Sequence, residues 1–555
     1  MKTVDASDYH DLVRVSEPRL SPDGERVGFV RTVPKDDERY FDGGRSHVYS
    51  VALASDEVTR HTDGEYDHVS PDWGDAETLY YAAKRTGDPD DNTLYDLIAH
   101  DLAGGTEVVT RTAAWRPGLA ATTDGRIAYL HRPEERSTLR QVEIEVFDRQ
   151  SGETIVLTES LDRTVEGAPR WGPEEERVYF LAPDEGSVTL RRIAANGSGE
   201  CEVVVGDGDV DGFDPGRDAV AVTKGEWDHP GDVFASTPAG AETNRLTWVN
   251  AAYLNDRAVL RPEEVWFESE EGVDVQGWVL TPPDFDSDER YPLAVEIHGG
   301  PHAMWSTAGT TWHEFQTLAA RGYVVFWCNP RGSTGYGEEH MAAIERDWGA
   351  ITMRDVLAGA DLVCDRPYVD ETNQFVTGGS FGGYMTGWIV GHTDRFEGAV
   401  AQRGVYDLSG FYGSTDAFKL IEWEFDAVPW GEPELLWERS PVAYADRVTT
   451  PTLVIHAEED YRVPIGGGEA FYRSLRKNGV ETRLVRYPRE GHELSRSGEP
   501  GHVVDRIERI ARWFDGYSGR HDVRRALERG DDGLSAGEGR RGGDGGGNED
   551  GTAEG

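Results

Sequence analysis

The chain has 555 residues, with 56 Lys and Arg against 103 Asp and Glu, a formal net charge of -47, and 37% apolar residues. This balance excludes nucleic acid and anionic membrane surfaces as partners, because both are held by cationic side chains that displace counterions. At roughly 100 to 200 residues per domain the length calls for at least two domains, each with room for a buried core.

Only six of the basic residues are lysines (Lys2, Lys35, Lys84, Lys224, Lys419 and Lys477), while acids run along the whole length. The pattern resembles that of proteins from salt-loving microbes. Self-repulsion at this charge opposes a compact state in dilute buffer, and molar salt relieves it by shortening the Debye length to about 3 Å, so a requirement for high salt is expected. The three cysteines, Cys201, Cys328 and Cys364, have neither CxxC nor metal-ligand spacing. Neither a disulfide framework nor a zinc site is expected, and Cys328, inside the apolar run YVVFWC, reads as a buried thiol. The first residues have no apolar signal core and no stretch of about 18 apolar residues occurs, so a cytoplasmic protein is the expectation.

Five variants of one signature occupy the N-terminal half: SPDGERVGFV at Ser21, SPDWGDAETLYYA at Ser70, TTDGRIAYL at Thr122, WGPEEERVYFLA at Trp171 and DPGRDAVAV at Asp214. Each is a turn rich in Asp, Gly and Pro followed by a short apolar and aromatic strand. Aligned at Val27, Leu79, Ile127, Val178 and Ala219, they recur at spacings of 52, 48, 51 and 41 residues. That period fits one four-stranded propeller blade, with SHVYSVAL, RQVEIEVFD and EVVVG as further strands. An N-terminal all-β propeller is expected over residues 1–256, with five repeats visible. Beyond residue 257, apolar runs (YPLAVEIH, GYVVFWC, QFVTGG, EGAVAQ, PTLVIHA, TRLVRYP) alternate with helical stretches, the pattern of a doubly wound, mostly parallel sheet covered on both faces. This domain is expected to span residues 257–517. HDVRRALERG then reads as a short helix leading into a Gly-rich acidic tail, so 518–555 is expected to be largely disordered.

The sharpest local signal is Gly378-Gly379-Ser380-Phe381-Gly382-Gly383, between the strand-like NQFVT and the helix-like YMTGWIVGH. A Gly-x-Ser-x-Gly at a strand-to-helix turn lifts the serine oxygen above the sheet and aims the helix amides at developing negative charge. A nucleophilic serine needs a base, and the base an orienting acid. Asp460 follows the strand PTLVIHA and His492 follows TRLVRYP, giving the chain order Ser, Asp, His of the α/β-hydrolase fold. His298-Gly299-Gly300-Pro301 ends the strand YPLAVEI, where the Gly300 amide can reach a substrate oxygen; the Phe381 amide is the second candidate donor.

The strings HGGPH at His298, NPRGSTGYG at Asn329, GGSFGGYMT at Gly378, GVYDL at Gly404, HAEEDYRVP at His456 and EGHELSR at Glu490 resemble the prolyl oligopeptidase family of serine peptidases, in its acylaminoacyl-peptidase branch. The resemblance implies Ser380 as nucleophile, His492 as general base and acid, Asp460 as its orienting partner, and Gly300 and Phe381 as oxyanion donors. It further implies substrate binding by Arg462 and, from a position that serves the oxyanion hole in prolyl oligopeptidase itself, by Tyr336. His302 and His456 read as structural or solvated. The sequence departs from the family at His456-Ala457, where members often have His-Gly, and in its five repeats against the usual seven. No metal or organic cofactor is implied; the expected partners are short peptide substrates and, from the habit of the branch, further copies of the chain. The leading reading is an acylaminoacyl or aminopeptidase-like oligopeptidase. A dipeptidyl or prolyl oligopeptidase, a carboxylesterase, and an inactive peptide-binding propeller protein are the alternatives.

Overall fold

The computed structural model describes residues 14–34 and 44–525. The first thirteen residues and the tail from 526 onward, with its expected disorder, lie outside them. Residues 14–60, 68–113 and 120–156 form three four-stranded antiparallel sheets in simple meander order. Residues 166–205 and 209–245 form two more four-stranded meanders, joined by one parallel bridge between Val188 and Asp209. These five units are the blades I to V of a propeller.

The repeated turn sits between the first and second strands of a blade and builds itself from its own side chains. In blade I, Ser21 donates to Asp23 at 2.6 Å and accepts from the Arg26 amide at 2.9 Å, with Gly24 at φ +73°. Blade III repeats the device with Thr122, Asp124, Arg126 and Gly125 at φ +90°. Short polar side chains satisfy the turn amides, and glycine takes the left-handed position. Neighbouring blades are latched by their inner strands: Trp73 donates to the Arg19 carbonyl at 3.0 Å, and Trp171 to the Ala120 carbonyl at 2.9 Å. One opening is lined by Arg19, Asp72, Ala121, Arg170 and Asp214, one residue from each blade, so the five inner strands surround a common axis. Blades II, III and IV bury both faces of their second strand, as at Leu79–Ala83 and Val178–Pro183. Blade V buries Val220 and Val222 but exposes Ala221 and Thr223.

The C-terminal sheet has eight strands: β1 (Glu263–Glu268), β2 (Asp274–Leu280), β3 (Tyr291–Ile297), β4 (Val324–Asn329), β5 (Val369–Gly379), β6 (Gly398–Gln402), β7 (Thr452–Ala457) and β8 (Thr482–Tyr487). Their spatial order is β1-β2-β4-β3-β5-β6-β7-β8, with β2 antiparallel to both its neighbours and every other pair parallel. Strands β3 to β7 are buried on both faces, as apolar runs without alternation require. Helices α1 (Trp312–Ala320) and α5 (Pro500–Tyr517) cover one face, while α2 (Ala350–Cys364), α3 (Phe381–His392) and α4 (Ile465–Lys477) cover the other. Past α5 the expected helix is absent at His521–Arg525, and the chain is tied back instead: His521 donates to the Arg321 carbonyl at 2.9 Å and stacks on Tyr323. Among the described residues no helix is long and apolar enough to cross a membrane.

The propeller sits against loops at the carboxyl ends of the sheet strands. Ser306 donates to Asp209 at 2.8 Å, Trp312 to the Trp227 carbonyl at 2.7 Å, and the Glu338 amide to Asp162 at 2.9 Å. Gln276 donates to the Glu185 carbonyl at 3.1 Å, and Trp115 meets Trp423 edge to face.

Blades I and II share a histidine cluster in which His47 stacks on His68 and the His61 and His100 rings meet at 3.2 Å. Burial, reinforced by the neighbouring histidines and by Arg26 and Arg85, holds His61 and His68 at about 4. Both are neutral in the folded protein, whereas the unfolded chain takes up protons near pH 6.5, so stability is present above that pH and is lost as pH falls toward 4. The thermal midpoint followed by circular dichroism is expected to be flat above pH 6.5 and to drop between pH 6.5 and 5. Replacing both residues by Gln should shallow that drop; an unchanged slope would place its origin elsewhere.

Candidate active site

Strand β5 ends at Gly379, and α3 starts at Phe381. Between them Ser380 has φ +60° and ψ -119°, a strained conformation for a residue with a side chain. The turn is possible because the glycines around it carry no side chain. A Cβ on Gly378 would come 2.5 Å from the Ile297 carbonyl oxygen of β3, one on Gly382 would strike the same oxygen, and one on Gly383 would strike the Gln402 carbonyl of β6. The Ser380 amide donates to that Gln402 carbonyl at 3.0 Å.

His492, in the loop after β8, accepts from the Ser380 hydroxyl through Nε2 at 3.0 Å and donates through Nδ1 to Asp460 Oδ2 at 2.8 Å. Asp460 is 3% exposed, and its other oxygen accepts from the Val463 amide at 2.8 Å. Burial is the largest influence on His492 and lowers its pKa below the usual value; Asp460 opposes it. The imidazole therefore stands neutral at pH 7, ready to take the serine proton. The structure thus brings together Ser380, Asp460 and His492, which are far apart in sequence. A Cβ on Gly299 would lie 3.3 Å from Ser380 Cβ, so the HGGP loop faces the nucleophile. Gly300 has φ +129°, and a side chain there would come 2.7 Å from the His302 amide. The Phe381 amide, first in α3, directly follows the serine, and Gly300 directly follows Gly299.

Arg462 lies two residues past Asp460 and is half-exposed. Its guanidinium is paired with Asp416, whose amide in turn donates to the Tyr461 carbonyl at 3.0 Å. Tyr336 is half-buried beside β2 and β4: its hydroxyl donates to Gln276 and accepts from Asn329 at 2.8 Å, and its ring meets Trp266 edge to face. These bonds occupy the hydroxyl, an arrangement that serves packing. His456 donates to the Val463 carbonyl at 2.7 Å and braces the loop that carries Asp460.

Residues 309–521 match the family model described as the prolyl oligopeptidase family. The matched domain belongs to that family. An uncharacterized peptidase of Bacillus subtilis, YuxL, is 37% identical over 389 residues, covering 67% of this chain and 58% of the relative. Dipeptidyl-peptidase 5 of Porphyromonas gingivalis is 28% identical over 352 residues, covering 62% and 51%, and that of Schizosaccharomyces pombe is 34% identical over 263 residues, covering 46% and 38%. The matches thus span between 38% and 58% of these relatives' length. In fold, the acylaminoacyl peptidase of Pyrococcus horikoshii superposes with a TM-score of 0.80 at 23% identity, covering 92% of this chain and 82% of that one. A puromycin hydrolase superposes at 0.69 with 20% identity, covering 91% and 78%.

Two supports of this prolyl oligopeptidase-type site escaped the sequence. His302, in the HGGPH loop, pairs with the buried Glu424 at 2.7 Å, and Glu424 also accepts from Trp348 at 3.1 Å. Arg403, directly after β6, lies against Gly379 and donates to Ser495 at 2.7 Å. Neither has a local signal, because each partner lies about ninety residues or more away in sequence. Asp460→Asn removes the acceptor that orients His492 and the charge that supports its imidazolium. Turnover is expected to fall by roughly 10⁴. In the unmodified protein, kcat/KM should decline on the acid side with a midpoint below pH 6.5; a midpoint above 7 would contradict the desolvated imidazole.

Proposed function

We propose that the protein is a serine peptidase that hydrolyses short peptides through an acyl-enzyme on Ser380. The observation that carries this reading is the Ser380–His492–Asp460 hydrogen-bond chain at the carboxyl ends of β5, β8 and β7, lying on the side of the sheet that the propeller covers. In this reading the chain divides as 1–256 and 257–517, with the tail following. His492 takes the Ser380 proton as the hydroxyl oxygen attacks the substrate carbonyl. The Gly300 and Phe381 amides receive the oxyanion, each lowering the barrier by about 2.7 to 4 kcal/mol by comparison with other oxyanion donors. His492 then protonates the departing amine, and water attacking the acyl-enzyme completes the cycle. The covering propeller favours short chains over folded proteins.

A cavity between blade II and the loop at Asp416 favours substrates with a free α-amine over N-acylated ones. Glu65, Asp67, Asp90 and Asp416 line it against the single cation Lys84, next to the segment that carries Asp460 and Arg462. Asp416 also neutralises Arg462, the residue the resemblance assigns to substrate. The dipeptidyl-peptidase relatives point the same way. The high-salt reading and a cytoplasmic location belong to this proposal; three free cysteines fit a reducing compartment.

Hydrolysis of acetyl-alanyl, free alanyl-prolyl and free aminoacyl nitroanilides and of a nitrophenyl ester tests the proposal in molar KCl. Amide turnover that Ser380→Ala abolishes, with free-amine substrates preferred, is the expected result. Cleavage of the ester alone would replace it with a carboxylesterase, and equal rates in the variant would remove the serine mechanism. Circular dichroism in dilute and molar KCl tests the salt requirement; equal thermal midpoints would overturn it.

A further inference from the structure

Behind the nucleophile turn lies a cavity of about 60 Å³, bounded by the backbone of Gly299, Gly378 and Gly379. Its polar lining includes Glu296, Glu314, Gln402, Arg403, Ser495 and Arg506, with Thr310, Thr311 and Arg496, the last paired with Glu493, at its rim. Four of these are among the most enclosed ionisable groups of the molecule: Glu296 and Glu314 are 3% exposed, Arg403 5% and Arg506 2%. Arg506 is satisfied in part, donating to Glu314 at 2.6 Å and to Gln402 at 2.8 Å. Three further buried atoms have no hydrogen-bond partner: Arg403 Nε, Arg506 Nε and Glu296 Oε1.

The ion pairs do not balance. Glu314 is paired with Arg506. Burial and the nearby Glu314 push the Glu296 carboxyl well above the usual range, which favours its neutral form. Arg403, held at about 10 by burial and by the neighbouring Arg506 and Arg496, remains a cation at neutral pH. Its side chain donates to the neutral Ser495 hydroxyl, and among the described residues no carboxylate lies within ion-pair distance of it. Asp460, which also acts on Arg403, is committed to His492. A buried guanidinium without a counter-charge is strongly disfavoured, as is a buried N–H without an acceptor.

We propose that this cavity is a binding site for a compact monovalent anion, a halide, seated between the Arg403 and Arg506 guanidiniums beneath the Ser380 turn. Both orphaned Nε–H groups are donors, which suits a spherical acceptor with no proton to give. The volume admits chloride or bromide and excludes large organic anions. A water molecule would meet the hydrogen-bond demand and leave the charge uncompensated. The anion would fix Arg403, against which Gly379 packs.

The test exchanges chloride for gluconate at constant potassium and constant ionic strength. The melting temperature of the full chain is expected to rise along a saturating curve in chloride and equally in bromide, as binding to the folded state alone requires. Arg403→Gln should show no such halide-dependent rise. Crystals grown in potassium bromide should give a bromine anomalous peak between Arg403 and Arg506. Superimposable melting curves in the two salts, or no bromine peak in the cavity, would overturn the proposal. If Arg403→Gln fails to fold, the bromide diffraction on the unmodified chain decides. No arm requires peptidase activity, so failure here and failure of the peptidase reading are separable.

Discussion

The close approach of three backbones at the end of β5 is the constraint on which the site depends. Ser380 can hold its strained φ only because Gly378, Gly382 and Gly383 let the turn press onto the carbonyls of Ile297 and Gln402. A side chain at any of the three would separate the turn from β3 or β6 and carry the nucleophile away from His492. The same apposition brings Gly299 against Ser380, so the HGGP loop and the serine turn are fixed by one packing arrangement. Strain of this kind survives only where surrounding structure over-determines it, and here two parallel strands and a helix do so.

Around that turn the protein places buried charge with care. Asp460 is satisfied by an imidazole and an amide, Glu424 by His302 and Trp348, and Asp355 by Arg331 and Ser269. Each buried carboxylate thus has donors enough to offset its desolvation. The cluster at Arg403 differs, since its cation lies deep and is matched by a neutral hydroxyl alone. A surface carrying a formal charge of -47 and an interior with an uncompensated cation are therefore distinct electrostatic problems in one chain.

The five-blade ring gives the catalytic face its cover. Its turns in blades I and III are self-contained, each built from a Ser or Thr, an Asp and a Gly, and Trp73 and Trp171 each reach back from an inner strand to the preceding blade. Such a structure depends on repetition more than on length, which is how a ring can form from about 230 residues. Blade V, whose second strand exposes Ala221 and Thr223, marks where the repetition stops.

Much of this was legible in the sequence because it is locally encoded. The signature turns fall at the first hairpin of each blade, and Val27, Leu79, Ile127 and Val178 all lie on second strands, with Ala219 immediately before one. The glycines around Ser380, and the placement of Asp460 and His492 just past apolar strands, follow from the order of a parallel sheet, in which strand ends collect on one edge whatever the intervening length. What the sequence could not fix is what depends on partners distant in the chain. At His521–Arg525, the described part of the helix expected after α5, the chain instead docks through His521, because an aromatic neighbour at Tyr323 and a carbonyl at Arg321 offered more than a single isolated helical turn. Tyr336 was tied to Gln276 and Asn329, Arg462 was paired with Asp416, and Arg403 was buried beneath Gly379. Local residue types thus determined the chemistry available to this chain. Only the tertiary structure decided which charges would meet, since the free energy of an ion depends on the solvent it loses and the partners it gains, and both are set by contacts across the whole fold.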